Sequence, residues 1–317
     1  MQNVAVLYLD EDDRKVWEGA LAGVPDLVGM TAGDDPATPL QRLRKMRSTL
    51  RVVALSARLF PGRHPELVPM LREACPGAEL LLISCDGSFP PLRPLFADQI
   101  RHLTITPAKE PPNREELSAV ISMLVERRPW EIAPCLKVGT PVHSYRLNSS
   151  EDKELLIARL EGVLAGEGEE MELFRQKGAL LADELLENAM YNAPRGSHGA
   201  LLFIKGERRA MLPHEQIVFS FGFDGKTLAL KLTDSWGSLE PDQVLGYLAR
   251  NEEQSPMSDD AGGRGLFIIW RFLDRFHVHV EPGQRTTVGG QLQLSSQLEP
   301  GSPRGFHITK HREEQAA

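Results

Sequence analysis

Residues 262–269 read GGRGLFII and place three glycines directly before or within the start of an apolar run. Glycine lets the backbone approach a ligand closely, because no side chain stands in the way. The apolar residues predict a helix over residues 265–276, and the first turn of a helix offers free N–H groups to a phosphate. A flexible hinge before a core helix is the alternative explanation of the same stretch.

Two polar residues share one face of the helix predicted over residues 172–191. Glu184 and Asn188 are four positions apart, so their side chains project from the same side. A carboxylate and a carboxamide in this arrangement can activate a nucleophile and ligate Mg²⁺ through oxygen. An ordinary solvated helix face is the alternative for this pair.

A further polar position follows the strand predicted over residues 227–233. The segment there reads TDSWGS, with Asp234 at the strand end and Gly237 in the turn. A carboxylate at this place can accept a hydrogen bond from an exocyclic amine such as that of adenine. A plain turn is the alternative, since Asp and Gly are common turn residues.

Taken together, in this order and at these spacings, the segments resemble the GHKL superfamily of histidine-kinase-like ATPases. The residues that match the N box and the two glycine boxes of that family are, in chain order, Glu184, Asn188, Asp234, Gly237, Gly263 and Gly265. The stretch GGRGLFIIWRFLDRFHV is especially similar to the anti-sigma-factor serine kinases, in which GRGL opens a helix and a strand follows. The resemblance covers about residues 140–298.

The resemblance implies a domain that binds ATP and Mg²⁺. Within it, Glu184 would be the general base, Asn188 would hold the Mg²⁺ ion and Asp234 would bind adenine. The remaining nucleotide-binding residues that the resemblance implies are Gly237, Gly263, Gly265, Leu266 and Thr286.

One position departs from the family pattern. Trp236 stands where the first glycine box has its first glycine, so we expect a bulky side chain close to the nucleotide. The polar segment over residues 240–261 is expected to be the lid of the site.

The N-terminal part of the chain alternates short apolar runs with amphipathic segments. The runs predicted as strands are residues 4–9, 26–31, 51–56, 80–84 and 101–106. This alternation predicts a parallel sheet with helices on both faces. In such sheets the functional residues gather at the carboxyl ends of the strands.

The polar residues at those strand ends resemble the pattern of response-regulator receiver domains. The acidic residues 10–12 match the Mg²⁺-binding acids of that family, and Ser84 matches its switch hydroxyl. Ser56 stands where the family has its phosphoacceptor Asp, and Thr106 stands where it has a Lys. We therefore expect a receiver-like domain that is not phosphorylated. An unrelated flavodoxin-like α/β domain is the alternative.

The chain has 317 residues, which is enough for two domains of ordinary size. We predict a receiver-like domain over residues 1–128, a linker over 129–141, a histidine-kinase-like ATPase domain over 142–309 and a tail over 310–317. The predicted fold class is α/β. A flavodoxin-like parallel-sheet domain comes first, and a Bergerat-fold α/β sandwich follows it.

Composition excludes several classes of function. A net charge of -8 argues against a nucleic-acid-binding surface, which requires a basic patch. The sequence has no apolar run long enough to span a membrane and no recognisable signal peptide, so we expect a cytoplasmic protein. The 3 cysteines are too far apart for a CxxC motif. His277 and His279 alternate along a predicted strand and are expected to be exposed.

Two functions from different classes remain open. The first is an ATP-dependent kinase that phosphorylates a partner protein of a signalling pathway on Ser or Thr. The serine-kinase-like second glycine box favours it, as does the lack of a helical hairpin with a substrate histidine before residue 150. The second is a catalytically inactive adaptor that binds a nucleotide or a protein, which the altered residues Ser56 and Trp236 favour. A slow ATPase switch lies between the two, and a homodimer is one option for the assembly.

Overall fold

The computed structural model describes residues 2–33, 35–60, 65–85, 87, 90–106, 114–196, 198–253, 264–294 and 305–311, without the side chains of 250–253. The chain divides into two compact units, Met1–Arg128 and Pro129–Ala317. Both units combine strands with helices, so the predicted α/β class is confirmed. Within the described ranges no helix has both the length and the apolar character needed to cross a membrane.

Parallel strands form the sheet of the first unit. In chain order they are β1 (Val4–Tyr8), β2 (Leu27–Thr31), β3 (Val52–Ser56), β4 (Glu79–Ser84) and β5 (His102–Ile105). They pair in the order β2-β1-β3-β4-β5, which is the order of flavodoxin-like doubly wound sheets. β1 and β3 are buried along their whole length, as expected for central strands covered on both faces.

The helices of the first unit connect these strands. Those described are α1 (Glu11–Leu21), α2 (Ala37–Met46), α3 (Leu67–Ala74), α4 (Leu92–Ala97) and α5 (Arg114–Glu126). α1 packs beside α5, and α2 packs beside α3. Asp10 caps the N-terminus of α1 by accepting a hydrogen bond from the backbone N–H of Asp13 at 2.8 Å. The acidic cluster after β1 is therefore the first turn of a helix.

A mixed sheet forms the second unit. Its described strands are β6 (His143–Arg146), β7 (Ile217–Phe223), β8 (Thr227–Asp234), β9 (Arg275–Glu281), β10 (Arg285–Gln293) and β11 (Gly305–Lys310). They follow the order β6-β7-β8-β10-β9-β11. All neighbouring pairs are antiparallel except β9 and β11.

The helices of the second unit form one layer on this sheet. Those described are α6 (Asp152–Val163), α7 (Glu169–Glu187), α8 (Pro241–Glu253) and α9 (Arg264–Phe272). α6 packs on α7, α7 packs on α9, and α8 packs on α9. The layer contacts the sheet through β7, β8, β9 and β11. α7 continues directly into a π-helical turn, Asn188–Asn192, a feature that is frequent at functional sites.

Parts of the second unit differ from the sequence-based prediction. The apolar run LLFI within residues 200–205 predicts a strand, but it forms only an isolated bridge from Leu201 to Arg195, and Phe203 packs under the Arg209 guanidinium, 3.8 Å from its ring centroid. The helix predicted over residues 265–276 ends at Phe272, because the chain from Arg275 onward pairs with β10. β11 had not been predicted, and it adds a parallel strand to β9.

Candidate functional site

A cavity of about 290 Å³ opens in the second unit beside the π-helical turn. Its lining includes Asn188, Asp234, Leu266 and Thr286, which the sequence had singled out. The fold brings these residues together from the end of α7, from β8, from α9 and from β10. Leu232 adds an apolar wall beside Asp234. An apolar pocket with a few convergent polar groups is the usual form of a small-molecule site.

Asp234 ends β8 and is 4% exposed. Burial raises the pKa of its carboxyl to about 7, although hydrogen bonds from the backbone N–H groups of Trp236, Gly237 and Thr286 act in the opposite direction. The bond from the Trp236 N–H to Asp234 Oδ1 is 2.8 Å long. Strongly shifted carboxyl groups of this kind gather at functional sites, because folding alone gives no reason to bury them.

Thr286 lies directly beside Asp234 on the neighbouring strand β10. The two residues are partners in the antiparallel register, and Thr286 is 3% exposed. Among the residues that the structure describes, its Oγ1 has no hydrogen-bond partner. Buried hydroxyl groups in proteins are nearly always bonded. The cavity therefore offers a polar group that can bond a ligand next to the Asp234 carboxyl.

Helices α7 and α9 meet at the other predicted residues. A Cβ atom on Gly265 would lie 2.5 Å from Glu184 Oε2 and 2.9 Å from Asn188 Nδ2, so a larger residue would require these two side chains to move. Asn192 Nδ2 donates a hydrogen bond of 2.7 Å to Asn188 Oδ1. Asn188 Nδ2 is buried and has no hydrogen-bond partner in the described part of the chain.

Glu184 lies beneath the start of α9 and is not part of the described cavity lining. Burial raises the pKa of the Glu184 carboxyl; Lys205 acts against this effect, and Asp183 and Glu187 act with it. Lys205 Nζ lies 2.6 Å from Glu187 Oε2. A carboxyl whose pKa is raised in this way is suited to accept a proton near neutral pH.

Gly237 supports the site from outside the described cavity lining. Its φ is +56°, and a Cβ atom there would lie 2.3 Å from Glu281 O and 2.5 Å from Gln284 N. Gly283 N donates a hydrogen bond of 3.0 Å to Gly237 O. The residue thus holds the end of β8 against the turn between β9 and β10, in a left-handed conformation that favours glycine.

The indole of Trp236 is drawn away from the cavity. Its Nε1 donates a hydrogen bond of 3.3 Å to Glu215 Oε1, and its ring packs edge-on against His214. The described lining of the cavity does not include Trp236. Trp236, which stands where the GHKL pattern has a glycine, therefore donates its backbone N–H to Asp234, while its indole is not part of the described cavity lining.

Gly263 and its neighbour Gly262 lie outside the described residues, as does the predicted lid from residue 254 onward. α8 forms the first half of that lid, and its residues Gln243 and Tyr247 line the cavity. Sequence reasoning missed both. Their spacing of four on a predicted helix would have placed them on one face, but it could not tell which face turns inward.

In the first unit, Arg58 lies among the acids at the carboxyl end of β1. Its guanidinium is 3.3 Å from Asp10 Oδ2 and 3.8 Å from Asp13 Oδ1. Glu11 and Asp12, which the sequence had suggested for this site, have side chains 66% and 87% exposed. These two side chains face outward, because positions 10 and 13 share one side of α1, and the match of residues 10–12 to Mg²⁺-binding acids stays a prediction.

Ser56 and Ser84 contribute to the same site from the ends of β3 and β4. Both are 1% exposed, and with Arg58 they line a cavity of about 240 Å³. Ser56 Oγ accepts a hydrogen bond of 3.3 Å from the backbone N–H of Arg58. The site therefore contains the Arg58 guanidinium beside Asp10 and Asp13. The Ser56 hydroxyl stands at the position where the receiver pattern has its acceptor carboxylate.

His277 and His279 are 5% and 4% exposed, so the expectation of exposed histidines is wrong. Trp130 stacks on His277 with 4.8 Å between ring centroids, and Thr309 Oγ1 lies 2.7 Å from His279 Nδ1. The covering residues come from the predicted linker and from β11, neither of which the sequence had placed on this face. Within the described residues no group of three or more His, Cys, Asp or Glu side chains could hold a metal ion.

No protein-family model matches this chain, and no curated protein matches it. A pilus assembly-related protein from Burkholderia pseudomallei has a TM-score of 0.32 and 14% identity, over 42% of this chain and 95% of its own. The Legionella pneumophila response regulator LqsR has a TM-score of 0.27 and 11% identity, over 92% of this chain and 87% of its own. At TM-scores this low, neither likeness carries an inference about this chain.

Proposed function

We propose that the second unit is a Bergerat-fold, GHKL-type domain that binds ATP with Mg²⁺ in the cavity beside the π-helical turn. The observation that carries the proposal is the buried pair of Asp234 and Thr286, with a hydroxyl that lacks a partner among the described residues. Adenine fits this pair, because it presents an amine donor for the carboxylate and ring-nitrogen acceptors for the hydroxyl.

Residues on α7 and α9 support binding of the phosphate groups. Asn188 carries a side-chain oxygen that would serve as a ligand of Mg²⁺, an ion that prefers oxygen. The first turn of α9 lies against Asn188 through Gly265, and a helix N-terminus favours phosphate through its free N–H groups. A nucleotide that spans the cavity would thus meet a base-binding end and a phosphate-binding end.

We propose further that the domain transfers a phosphoryl group in trans to a Ser or Thr hydroxyl of a partner protein in a signalling pathway. Glu184 would accept the proton of that hydroxyl, and the raised pKa of its buried carboxyl suits this role. Bound ATP with Mg²⁺ would supply the phosphoryl group and the charge neutralisation that such transfers require. The first unit, with Ser56 in place of an acceptor carboxylate, would serve as a docking module of the receiver type.

A catalytically inactive nucleotide-binding adaptor is the second candidate. The specific observation in its favour is the position of Glu184, which contacts Gly265 beneath α9 and is not in the described cavity lining. An adaptor would keep the base-binding end of the site and would have no use for a proton acceptor. The two candidates differ in chemistry and share the same ATP site.

Calorimetric titration of the full chain with ATP, with and without Mg²⁺, tests the binding step. We expect Asn188→Ala to lose the part of the affinity that depends on Mg²⁺, because the amide oxygen is removed. Glu184→Ala should keep ATP affinity, since a general base acts in the transition state. Equal loss of binding in both variants would contradict the assigned roles.

Hydrolysis of γ-labelled ATP by the purified chain, and transfer of the label to a Ser- and Thr-containing test protein, separate the two candidates. The kinase predicts incorporation of label on Ser or Thr that Glu184→Ala abolishes. The adaptor predicts unimpaired ATP binding without release or transfer of label in wild type. Glu170→Gln is a matched control on the same helix, because this carboxylate is exposed in the first turn of α7, far along the helix from Glu184.

A further inference from the structure

Three consecutive residues after β8 are each tied to a different part of the second unit. Ser235 Oγ donates a hydrogen bond of 3.2 Å to His214 O, and it accepts one of 2.9 Å from the backbone N–H of Gln216. Trp236 is held by its indole, and Gly237 is held against the turn at residues 281–284. Ser235, Trp236 and Gly237 directly follow Asp234, so their position determines which backbone N–H groups can bond the Asp234 carboxyl.

Glu215 is the residue that anchors the indole. Its side chain is fully buried, with 0% exposure. Both of its carboxylate oxygens are bonded by the Arg209 guanidinium, and the backbone N–H of Leu212 donates to Oε2 at 3.0 Å. Although burial acts the other way, these donors hold the pKa of Glu215 below its usual value. Glu215 is therefore a fixed, ionised acceptor for the Trp236 Nε1–H group.

Arg209 extends this connection to the helical wall of the cavity. Its guanidinium donates a hydrogen bond of 3.0 Å to Met190 O, within the π-helical turn that follows α7. It also lies over the ring of Phe203, at 3.8 Å from the centroid. A continuous set of polar contacts thus runs from the π-helical turn through Arg209, Glu215 and Trp236 to Asp234. These contacts connect the π-helical turn with the end of β8, on two sides of the cavity, through residues that are not part of the described cavity lining.

We propose that Glu215 is a positioning residue for nucleotide binding, which holds the Trp236 indole outside the cavity and thereby keeps the Trp236 backbone N–H bonded to the Asp234 carboxylate. This inference rests on the proposed binding of an adenine nucleotide. It explains how the chain tolerates tryptophan at a glycine position of the family. A small side chain at position 236 would need no anchor, whereas an indole without one would be free to enter the space beside the base.

The test removes only the indole N–H, with Trp236→Phe. Trp270→Phe is the matched control, because the buried Trp270 Nε1 has no hydrogen-bond partner among the described residues. Two quantities are measured in each protein: the pKa of the Asp234 carboxyl without ligand, by carbon NMR, and the affinity for adenosine. Glu215, whose charge acts on Asp234, and His214, against which the Trp236 ring packs, lie next to these two residues, so spectra are recorded across the full pH range.

We expect Trp236→Phe to raise the pKa of Asp234, because a hydrogen bond to its charged form is weakened. Adenosine affinity should fall by roughly threefold to tenfold, the usual effect of one such bond. Trp270→Phe should change neither quantity. Unchanged values in a folded Trp236→Phe protein would overturn the inference while leaving nucleotide binding intact.

Two further outcomes are decisive. If wild type binds neither adenosine nor ATP, the proposed function fails and the positioning role fails with it. If Trp236→Phe does not fold, 3-benzothienylalanine at position 236 replaces the N–H by sulfur in a ring of the same shape. That protein should reproduce the two changes expected for Trp236→Phe, and wild-type values in it would contradict the role of Glu215.

Discussion

Burial gives the Asp234 carboxyl opposite effects on stability and on binding. The folded protein without ligand keeps this group in an apolar place, 4% exposed, which penalises its charged form. The same charge is what an adenine amine would bond, because an ionised acceptor makes a stronger hydrogen bond than a neutral one. Binding would therefore be favoured at a pH where the empty protein is less stable.

The pH dependence of unfolding follows from this carboxyl. Its pKa is about 7 in the folded protein against an ordinary 3.8, so between these values only the folded chain holds the proton. The contribution of Asp234 to the free energy of unfolding is present below the lower value and is lost as pH rises through the upper one. Between pH 5 and pH 8 the free energy of unfolding of wild type should fall by roughly 2–3 kcal/mol relative to that of Asp234→Asn. Urea unfolding at both pH values measures this, and a constant difference between the two proteins would contradict it.

The neighbouring threonines of β10 provide a matched pair of substitutions. Thr286→Val removes a buried hydroxyl that has no partner among the described residues, so stability should rise by about 1 kcal/mol while adenosine affinity falls severalfold. Thr287→Val removes a hydroxyl that lies 3.2 Å from Thr233 Oγ1, so stability should fall and affinity should persist. Thermal unfolding and adenosine titration of both proteins check the pair. If only Thr287→Val lost adenosine affinity, Thr287 rather than Thr286 would be the residue that bonds the base.

At the scale of elements, periodicity predicted most of the helices and strands, and tertiary pairing decided the rest. The helix that carries Glu184 and Asn188 was predictable from its apolar spacing, and so was the common face of these two residues. The end of α9 was not, because the residues up to Phe276 are apolar enough for either structure and β10 draws them into the sheet. The strand predicted over residues 200–205 has a continuous apolar run, LLFI, but it joins none of the described strands.

The contact between α7 and α9 predicts a contrast between two glycines. Gly265→Ala places a methyl group against Glu184 and Asn188, so it should displace these two side chains, lower stability and weaken ATP binding. Gly162 lies in α6, and a Cβ atom there would have nothing within 4 Å. Gly162→Ala should therefore raise the free energy of unfolding by roughly 0.5–1 kcal/mol through helix propensity. Thermal unfolding of both variants measures the two changes in stability, and equal changes would contradict the close contact at Gly265.

For the whole molecule, the motifs predicted several residues that the fold brings to one cavity, but not the contacts that hold that cavity together. Asn188, Asp234, Leu266 and Thr286 were named from motif order alone, and they line one cavity. The anchor at Glu215 could not be predicted, because it depends on hydrogen bonds to Arg209 and Trp236, which lie 6 and 21 positions away in the sequence. Such contacts leave no periodic signal in the chain.

The first unit should not respond to small phosphodonors. Ser56 offers a hydroxyl in place of an acceptor carboxylate, and Arg58 already lies beside Asp10 and Asp13. Incubation with acetyl phosphate and Mg²⁺ should leave the mass of the protein unchanged. A hydroxylamine-sensitive phosphate on Asp10 or Asp13 would contradict this expectation.

The central claim is that Asp234 recognises adenine, and calorimetric titration with ATP and with GTP tests it most directly. Wild type should bind ATP with Mg²⁺ and should bind GTP much more weakly, because guanine carries an acceptor where adenine carries its amine. Asp234→Asn should weaken ATP binding by about tenfold or more, as expected for a lost hydrogen bond to a charged group. If wild type binds no adenine nucleotide even at millimolar concentration with Mg²⁺, the claim is wrong, and the second unit is an interaction module.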